Sequence, residues 1–464
     1  MEWDELPITR WTTWCDRKVH LRSRALAWGC AVVASWPSTA LASSFADDPI
    51  HVQIQRVFLG IVISLIVVYL VRHYVFTLNR LFGRQRHPYL DVGAAPWPAV
   101  TVIVPAHDEE IVLPRILEAL LRVDYPEDRL RVLVIDDRST DRTPDLLDVY
   151  ANKHPDRIVA FHRREGPAGK AAALRDAMEL VTTDIVLVFD ADYLPGRGLV
   201  KQLVSPFFDP EVGAVMGRVV PLNAGRNLLT RLLDLERAGG YQVDQQARMN
   251  LDLVPQYGGT VGGIRVSALN AVGGWNEKSL AEDTDATFRL LLGGWKTVYQ
   301  NRSECYEEVP ETWKQRIGQV VRWARGHNQA MLRYFVPLLR NQRMPWRTKL
   351  DGALLLGVYA LSPLLVLAWA TALSLWHLGI NEGGTLIVLA VACYLALGNF
   401  ATFFEVAAAT HLDRTPQRAR LLPFLAFGFL VTALEVTRGA FVQLAAASPH
   451  RRGFWHKTER RREP

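Results

Sequence analysis

Residues 57–71 run without a charge, and with residues 74–76 the stretch reaches the length of a membrane crossing. A backbone in hydrocarbon must satisfy its own hydrogen bonds, so such a run is expected as a helix. Arg72, Arg80, Arg84 and Arg86 follow it, which puts the side leading into the middle of the chain on the cytoplasmic face. Uncharged runs recur at residues 352–376 and 383–404, separated by a short glycine-containing turn. By contrast, residues 85–350 have the composition of a soluble protein. A mean hydropathy of +0.05 hides this segregation. Much of the excess behind the net charge of +6 lies beside the apolar runs and in the tail from Arg451 to Arg462. That placement suits a membrane surface and not nucleic acid. Cys15, Cys30, Cys305 and Cys393 are scattered, as in a reduced cytosolic domain without structural disulfides.

Two regions admit more than one reading. Lys18, Arg22 and Arg24 precede an apolar stretch ending in Ala40-Leu41-Ala42, which fits either a cleaved secretory signal or an uncleaved first span. The last apolar run, residues 421–447, carries Glu435 and Arg438 at helical spacing. It can span, re-enter, or lie along the interface.

The middle of the chain alternates two periodicities. Short β-rich apolar runs are expected as strands at residues 99–105, 131–135, 158–162 and 184–189. Helical patterns follow the first three, reaching residue 122 and then covering 143–152 and 168–181. This order predicts an α/β domain with a parallel sheet covered by helices, whose ligands bind at the carboxyl ends of the strands. Acidic clusters stand there: Asp108-Glu109-Glu110 beside His107, Asp136-Asp137, and Asp190-Ala191-Asp192. Any one cluster is explained as well by turn or cap chemistry; three on one rim are not.

Carboxylates hold a diphosphate only through a cation. Asp190 and Asp192, two apart at a strand end, can both reach one hard divalent ion, Mg²⁺ or Mn²⁺. Lys170, at a helix start after Gly166 and Gly169, either adds a positive contact or is an ordinary terminal lysine. Asp136 or Asp137 and Glu109 are then placed for base and ribose. No Walker signature occurs, which excludes a nucleotide-hydrolase pocket of that type.

The ordered motifs VPAHDEE, DDRSTD, DAD, AEDTD and QVVRW resemble the processive family-2 glycosyltransferases, such as cellulose, mannan and hyaluronan synthases. The resemblance runs from about residue 98 to 329 and extends to the flanking helices. It implies a GT-A (Rossmann-like, nucleotide-sugar-binding) domain flanked by transmembrane and interfacial helices, inversion at the anomeric carbon, and Mg²⁺ or Mn²⁺. By the same resemblance the donor is a UDP- or GDP-sugar bound by Ala106, His107, Glu109, Asp136, Asp137, Lys170, Asp190, Asp192, Gln319 and Arg322. Asp190 and Asp192 hold the metal, and Asp283 is the general base, which must face the sugar opposite the diphosphate. Gly259, Thr260, Glu282 and Trp323 meet the acceptor. Glu282 and Asp283 also suit the first turn of a helix over 284–292, and Trp323 also suits the core of an amphipathic helix. The pattern is broken at Arg138, where relatives often carry glycine, at Val320-Val321 in the tryptophan motif, and at Ala281, where threonine is common.

The expected layout is a signal-like or first transmembrane segment (1–46), a transmembrane helix (56–76), the cytoplasmic catalytic domain (95–310), and interfacial helices (311–347). Transmembrane helices (350–378 and 383–408), the ambiguous segment (420–447) and a basic tail (448–464) follow. The expected activity is extension of a β-linked polysaccharide by an integral plasma (inner) membrane enzyme. An accessory export subunit is a possible partner, and Trp369, Trp376, Tyr394 and Phe403 are candidates for lining a sugar path. Transfer of one sugar to a membrane lipid is the nearest rival, and a non-catalytic transporter component the more distant one.

Overall fold

The structure, a computed structural model, describes residues 48–86, 96–380, 384–387, 389 and 403–445. The expectations for residues 1–46 and 448–464, for most of 383–408, and for Tyr394 lie outside these. The chain divides into two compact units, one of Met1–Val71 with Leu367–Ala390 and one of Arg72–Val366 with Val391–Pro464.

The larger unit is built on one sheet of eight strands: β1 (Val100–Ala106), β2 (Leu130–Asp137), β3 (Ile158–Arg163), β4 (Ile185–Val188), β5 (Leu194–Pro195), β6 (Val212–Pro221), β7 (Gly262–Arg265) and β8 (Lys296–Glu307). Their order is β3-β2-β1-β4-β7-β6-β8-β5. The first four are parallel, as the alternating pattern predicts; β7 runs antiparallel between β4 and β6, and β5 antiparallel to β8.

Among the described residues, the helices of eight or more residues are α1 (Ile50–Phe82), α2 (Leu113–Leu121), α3 (Thr143–Lys153), α4 (Lys170–Ala177), α5 (Leu228–Ala238), α6 (Glu282–Leu292), α7 (Trp313–Arg340), α8 (Trp346–Gly357), α9 (Leu361–His377), α10 (Phe403–Leu412) and α11 (Leu422–Ala445). Because side chains alternate along a strand, Val102, Val104, Val132, Val134 and Leu187 pack with α2, whose Leu113, Ile116, Leu117 and Leu120 form one apolar stripe. Ile103, Leu133, Ile135, Val186 and Val188 face the other way, onto Ala173, Leu174 and Ala177 of α4 and Ala286 and Leu290 of α6. Each fully buried aliphatic side chain contributes roughly 1.5–3 kcal/mol. This double core holds the carboxyl ends of β1, β2 and β4 on one rim.

The long helices bear on the membrane expectation. Among the described residues, Ile50–Phe82 and Pro416–Gln443 are long and apolar enough to cross a bilayer by length and composition. The run at 352–376, expected as one helix, is two: α8 and α9 bend by 69° at a short break, which makes a third crossing only if the bent pair counts as one. Pro363 explains the break, since it lacks an N–H and its ring collides with the carbonyl four residues earlier. α7 runs unbroken to Arg340, and it begins with a capping box between Thr312 and Gln315.

Candidate active site

In register, Ala106 at the end of β1 stands beside Asp136 of β2, and Asp136 beside His162 of β3. The loops leaving these strands make the site. Asp136 is fully buried, and its carboxylate accepts hydrogen bonds from the Ser139 N–H (3.0 Å) and from Nδ1 of His162 (3.0 Å). The Arg164 guanidinium adds a third contact at 3.0 Å. Asp137, equally enclosed, accepts from Arg163 (2.7 Å) and the Gly169 N–H (3.2 Å), while its carbonyl accepts from the His107 ring (2.8 Å). The Glu109 backbone N–H donates to Thr143 (2.8 Å). The expected nucleotide end is thus tied into one rim. Arg138 sits there with φ of +62°, a left-handed conformation that favours glycine, so the backbone at this position accounts for the glycine expected there and not for the arginine. Its guanidinium donates to the Gly166 carbonyl at 2.8 Å.

Lys170 is the junction. Gly169, with φ of +120°, turns the chain so that Lys170 opens α4 pointing across the rim. Its Nζ lies 2.6 Å from Asp190 and 3.3 Å from Glu282, and donates to the Gly259 carbonyl (2.9 Å). Burial disfavours its charge, but Asp190 and Glu282 outweigh that and push its pKa up. The Asp190 N–H donates to Thr260 (3.1 Å). Gly259, with φ of +72°, packs so closely that a Cβ there would lie 3.0 Å from Cβ of Asp283. Lys170, Asp190, Gly259, Thr260, Glu282 and Asp283 therefore meet at one point, with the buried Asp192 two residues on from Asp190.

Helix α6 starts at Glu282, two residues earlier than the pattern suggests, so both carboxylates occupy its first turn. Thr284 holds Oδ1 of Asp283 through its N–H (2.6 Å) and hydroxyl (3.4 Å). Burial raises the pKa of Asp283 and of Glu282, against the lowering effects of Thr284 and Lys170 respectively. Such a carboxylate is held in place and is a stronger base than an exposed one.

The tryptophan motif lies on α7. Oε1 of Gln319 accepts from Arg316 at 3.0 Å, and Arg322 is exposed. Trp323 packs beside Val320, Ala324, Tyr359 and Val436, with Arg237 and Arg316 over its ring at 5.3 and 5.5 Å. Val320 and Val321, the departure within the motif, face apolar neighbours: Val320 is buried in this cluster, and Val321 lies against Gly439 of α11. No direct bond joins Gln319, Arg322 or Trp323 to the Lys170 junction among the contacts described. The two regions touch at Gly326, where a Cβ would come within 2.5 Å of Cβ of Ala281.

Two carboxylates at Asp190 and Asp192 fit a hard cation that completes its shell with substrate oxygens. Among the described residues, the group of three possible ligands is elsewhere: His73, Asp244 and Glu405 bring ligand atoms within 4.8 Å of one another. There Arg72 and Arg248 hold Asp244, at 3.0 and 2.6 Å, and His73 bonds Glu405 at 2.8 Å. Those pairings make it an ion network tying α1 to Asp244 and α10.

Residues 98–326 match the family model described as glycosyltransferase-like family 2. The chain carries a family-2 glycosyltransferase domain. Curated relatives agree. A probable glycosyltransferase of Bacillus subtilis is 32% identical over 274 residues, covering 59% of this chain and 64% of that one. A beta-monoglucosyldiacylglycerol synthase of Synechocystis is 36% identical, covering 56% and 54%. Glucomannan 4-beta-mannosyltransferase 7 of Arabidopsis thaliana is 29% identical, covering 55% and 47%. The chain thus spans less than two thirds of the length of each of these relatives. A solved mannosyltransferase from Pyrobaculum calidifontis, in complex with GDP-Man and Mn²⁺, superposes with a TM-score of 0.55 at 22% identity, covering 84% of this chain and 99% of that one. The likeness is one of fold, and the sheet is of the GT-A type.

Within this glycosyltransferase domain, sequence reasoning missed the basic rim residues His162, Arg163 and Arg164. Their position at the end of the third strand was the available signal. It also missed Arg237, Glu307 and Arg316, which lie far from any motif by sequence or on the unassigned face of one.

Proposed function

We propose that this chain is an inverting, metal-dependent hexosyltransferase that moves sugar from a UDP- or GDP-sugar onto a growing β-linked polysaccharide. The observation that carries this is Lys170, which joins the strand end bearing Asp190 to the helix start bearing Glu282 and Asp283. Donor-holding and base-bearing elements, far apart in sequence, converge there. Asp190 and Asp192 would hold Mg²⁺ or Mn²⁺, which neutralises charge on the departing diphosphate. Ala106, His107, Glu109, Asp136 and Asp137 form the nucleotide end. Asp283 takes the proton from the acceptor hydroxyl as its oxygen bonds the anomeric carbon and the bond to the diphosphate breaks on the opposite face. Gly259, Thr260 and Glu282 approach the acceptor. Gln319 and Arg322 face the diphosphate, and Trp323 offers an indole to the sugar's C–H face.

The catalytic domain is read as cytoplasmic and the membrane as the plasma (inner) membrane, because Arg72, Arg80, Arg84 and Arg86 follow the first apolar run. Polymer export through an accessory subunit fits this arrangement. A second reading, single transfer to a diacylglycerol-type lipid, is favoured by the relative that is 36% identical. Sizing the product made by purified protein in diacylglycerol-containing nanodiscs separates them. A ladder of lengths supports polymerisation, and one glycolipid species refutes it.

A further inference from the structure

Beside the donor end of the site, a buried chain of polar side chains leads to Trp323. Tyr193 follows Asp192 directly, and its N–H closes the turn onto the Asp190 carbonyl at 3.0 Å. The Tyr193 hydroxyl donates to Oε2 of Glu307 at 2.6 Å. Glu307 ends β8, beside the short strand β5 that continues from Tyr193. Its other oxygen accepts from Nε of Arg237 at 2.7 Å. The Arg237 guanidinium in turn lies over the Trp323 ring. The next residue back on α5, Glu236, accepts from Arg316 at 2.6 and 2.8 Å, and Arg316 covers the same indole from within α7.

We infer that Glu307 and Arg237 are positioning residues that set Trp323 relative to the Asp190–Asp192 turn, so that donor and acceptor ends are aligned through one relay. Tyr193, Glu307 and Arg237 are all enclosed, with side-chain exposures of 7% for Glu307 and 12% for Arg237. Each member has a partner on both sides, so none moves without breaking a charge-assisted bond in a low-dielectric setting. An indole fixed this way presents the acceptor hydroxyl at a constant distance from Asp283. Reaction geometry is sensitive to such placement, with about hundredfold loss for a displacement near 1 Å.

The inference rests on the proposed transferase reading, so its test has a readout independent of turnover. The full chain is purified in detergent with 5-fluorotryptophan incorporated, and the Trp323 ¹⁹F resonance is assigned by its loss in Trp323→Phe. Tyr193→Phe, which keeps the ring, and Glu307→Gln are each expected to shift that resonance. They are also expected to cut sugar transfer by about tenfold to hundredfold. Slow release of nucleoside diphosphate to water stays within about twofold, because the donor end is untouched. An unmoved resonance in both variants overturns the relay. So does an equal fall in transfer and hydrolysis, the mark of a merely structural pair. If the unaltered chain cleaves none of UDP-glucose, UDP-N-acetylglucosamine, UDP-galactose or GDP-mannose, the transferase reading fails, and the resonance alone decides the relay.

Discussion

At the residue scale, the proposed reaction places its chemical burden on Asp283. Its carboxylate is raised above the ordinary aspartate value by burial, with the Thr284 bonds opposing. Transfer should therefore fall on acidification at a higher pH than an ordinary aspartate would give, as the carboxylate takes up a proton and ceases to act as base. Replacing it by asparagine keeps the shape and removes the base. Asp283→Asn is expected to slow transfer by about 10²–10⁴-fold, with donor binding, followed by titration calorimetry, left in place. At the opposite end, His162 bridges Asp136 and Asp148 at 3.0 and 2.9 Å. Burial opposes its charge, but these two bonds prevail and raise its pKa. A histidine with a raised folded-state pKa adds stability that is fully present below the unfolded value and is lost as pH rises through the folded one. The melting-temperature gap between the unaltered chain and His162→Gln should be widest below about pH 6.5 and close as the solution becomes alkaline. A gap that widens with pH contradicts this assignment.

Between elements, the decisive contact is α7 against the loop before α6. Gly326 is there because any side chain would strike Ala281, whose own small size completes the fit. Gly326→Ala should lower stability by about 1–3 kcal/mol in denaturant titration. It should also reduce transfer by about a hundredfold, since the strained segment leads directly into Glu282 and Asp283. Loss of stability with full activity retained would show that the loop yields without moving the carboxylates. The same glycine logic explains what the sequence concealed. The four parallel strands are legible because β-branched runs alternate with amphipathic stretches. β7 is not, because its Gly262 and Gly263 serve close packing: a Cβ at the first would lie 2.5 Å from the Val215 carbonyl, and at the second 2.6 Å from Leu187. Such a segment has little strand propensity and resembles a turn. The break between α8 and α9 was legible in principle from Pro363, but hydropathy averages over it. Asp190, Glu282 and Asp283 were legible as a set because polar residues at strand and helix ends stand out. Their junction through Lys170, and the pairing of Glu307 with Arg237, depend on sheet order, which local pattern does not specify.

At the scale of the whole molecule, a GT-A domain is joined to helices suited to a bilayer, and the Val320-Val321 face of α7 packs against one of them. Substituting those valines for polar residues uses the motif's helix as a packing surface as well as a mount for Gln319, Arg322 and Trp323. On the proposed reading, Asp190 and Asp192 would hold a divalent ion on which the activity depends. A chelator should abolish turnover, and added Mn²⁺ or Mg²⁺ should restore it without refolding. Turnover that persists in excess chelator would remove the metal from the account. The most direct test of the central claim is release of nucleoside diphosphate by the purified full chain in nanodiscs, with the donors named above and Mn²⁺. The account predicts that one donor is cleaved and its sugar recovered in a β-linked product, with both lost in Asp283→Asn. Equal turnover by the unaltered chain and Asp283→Asn would contradict it.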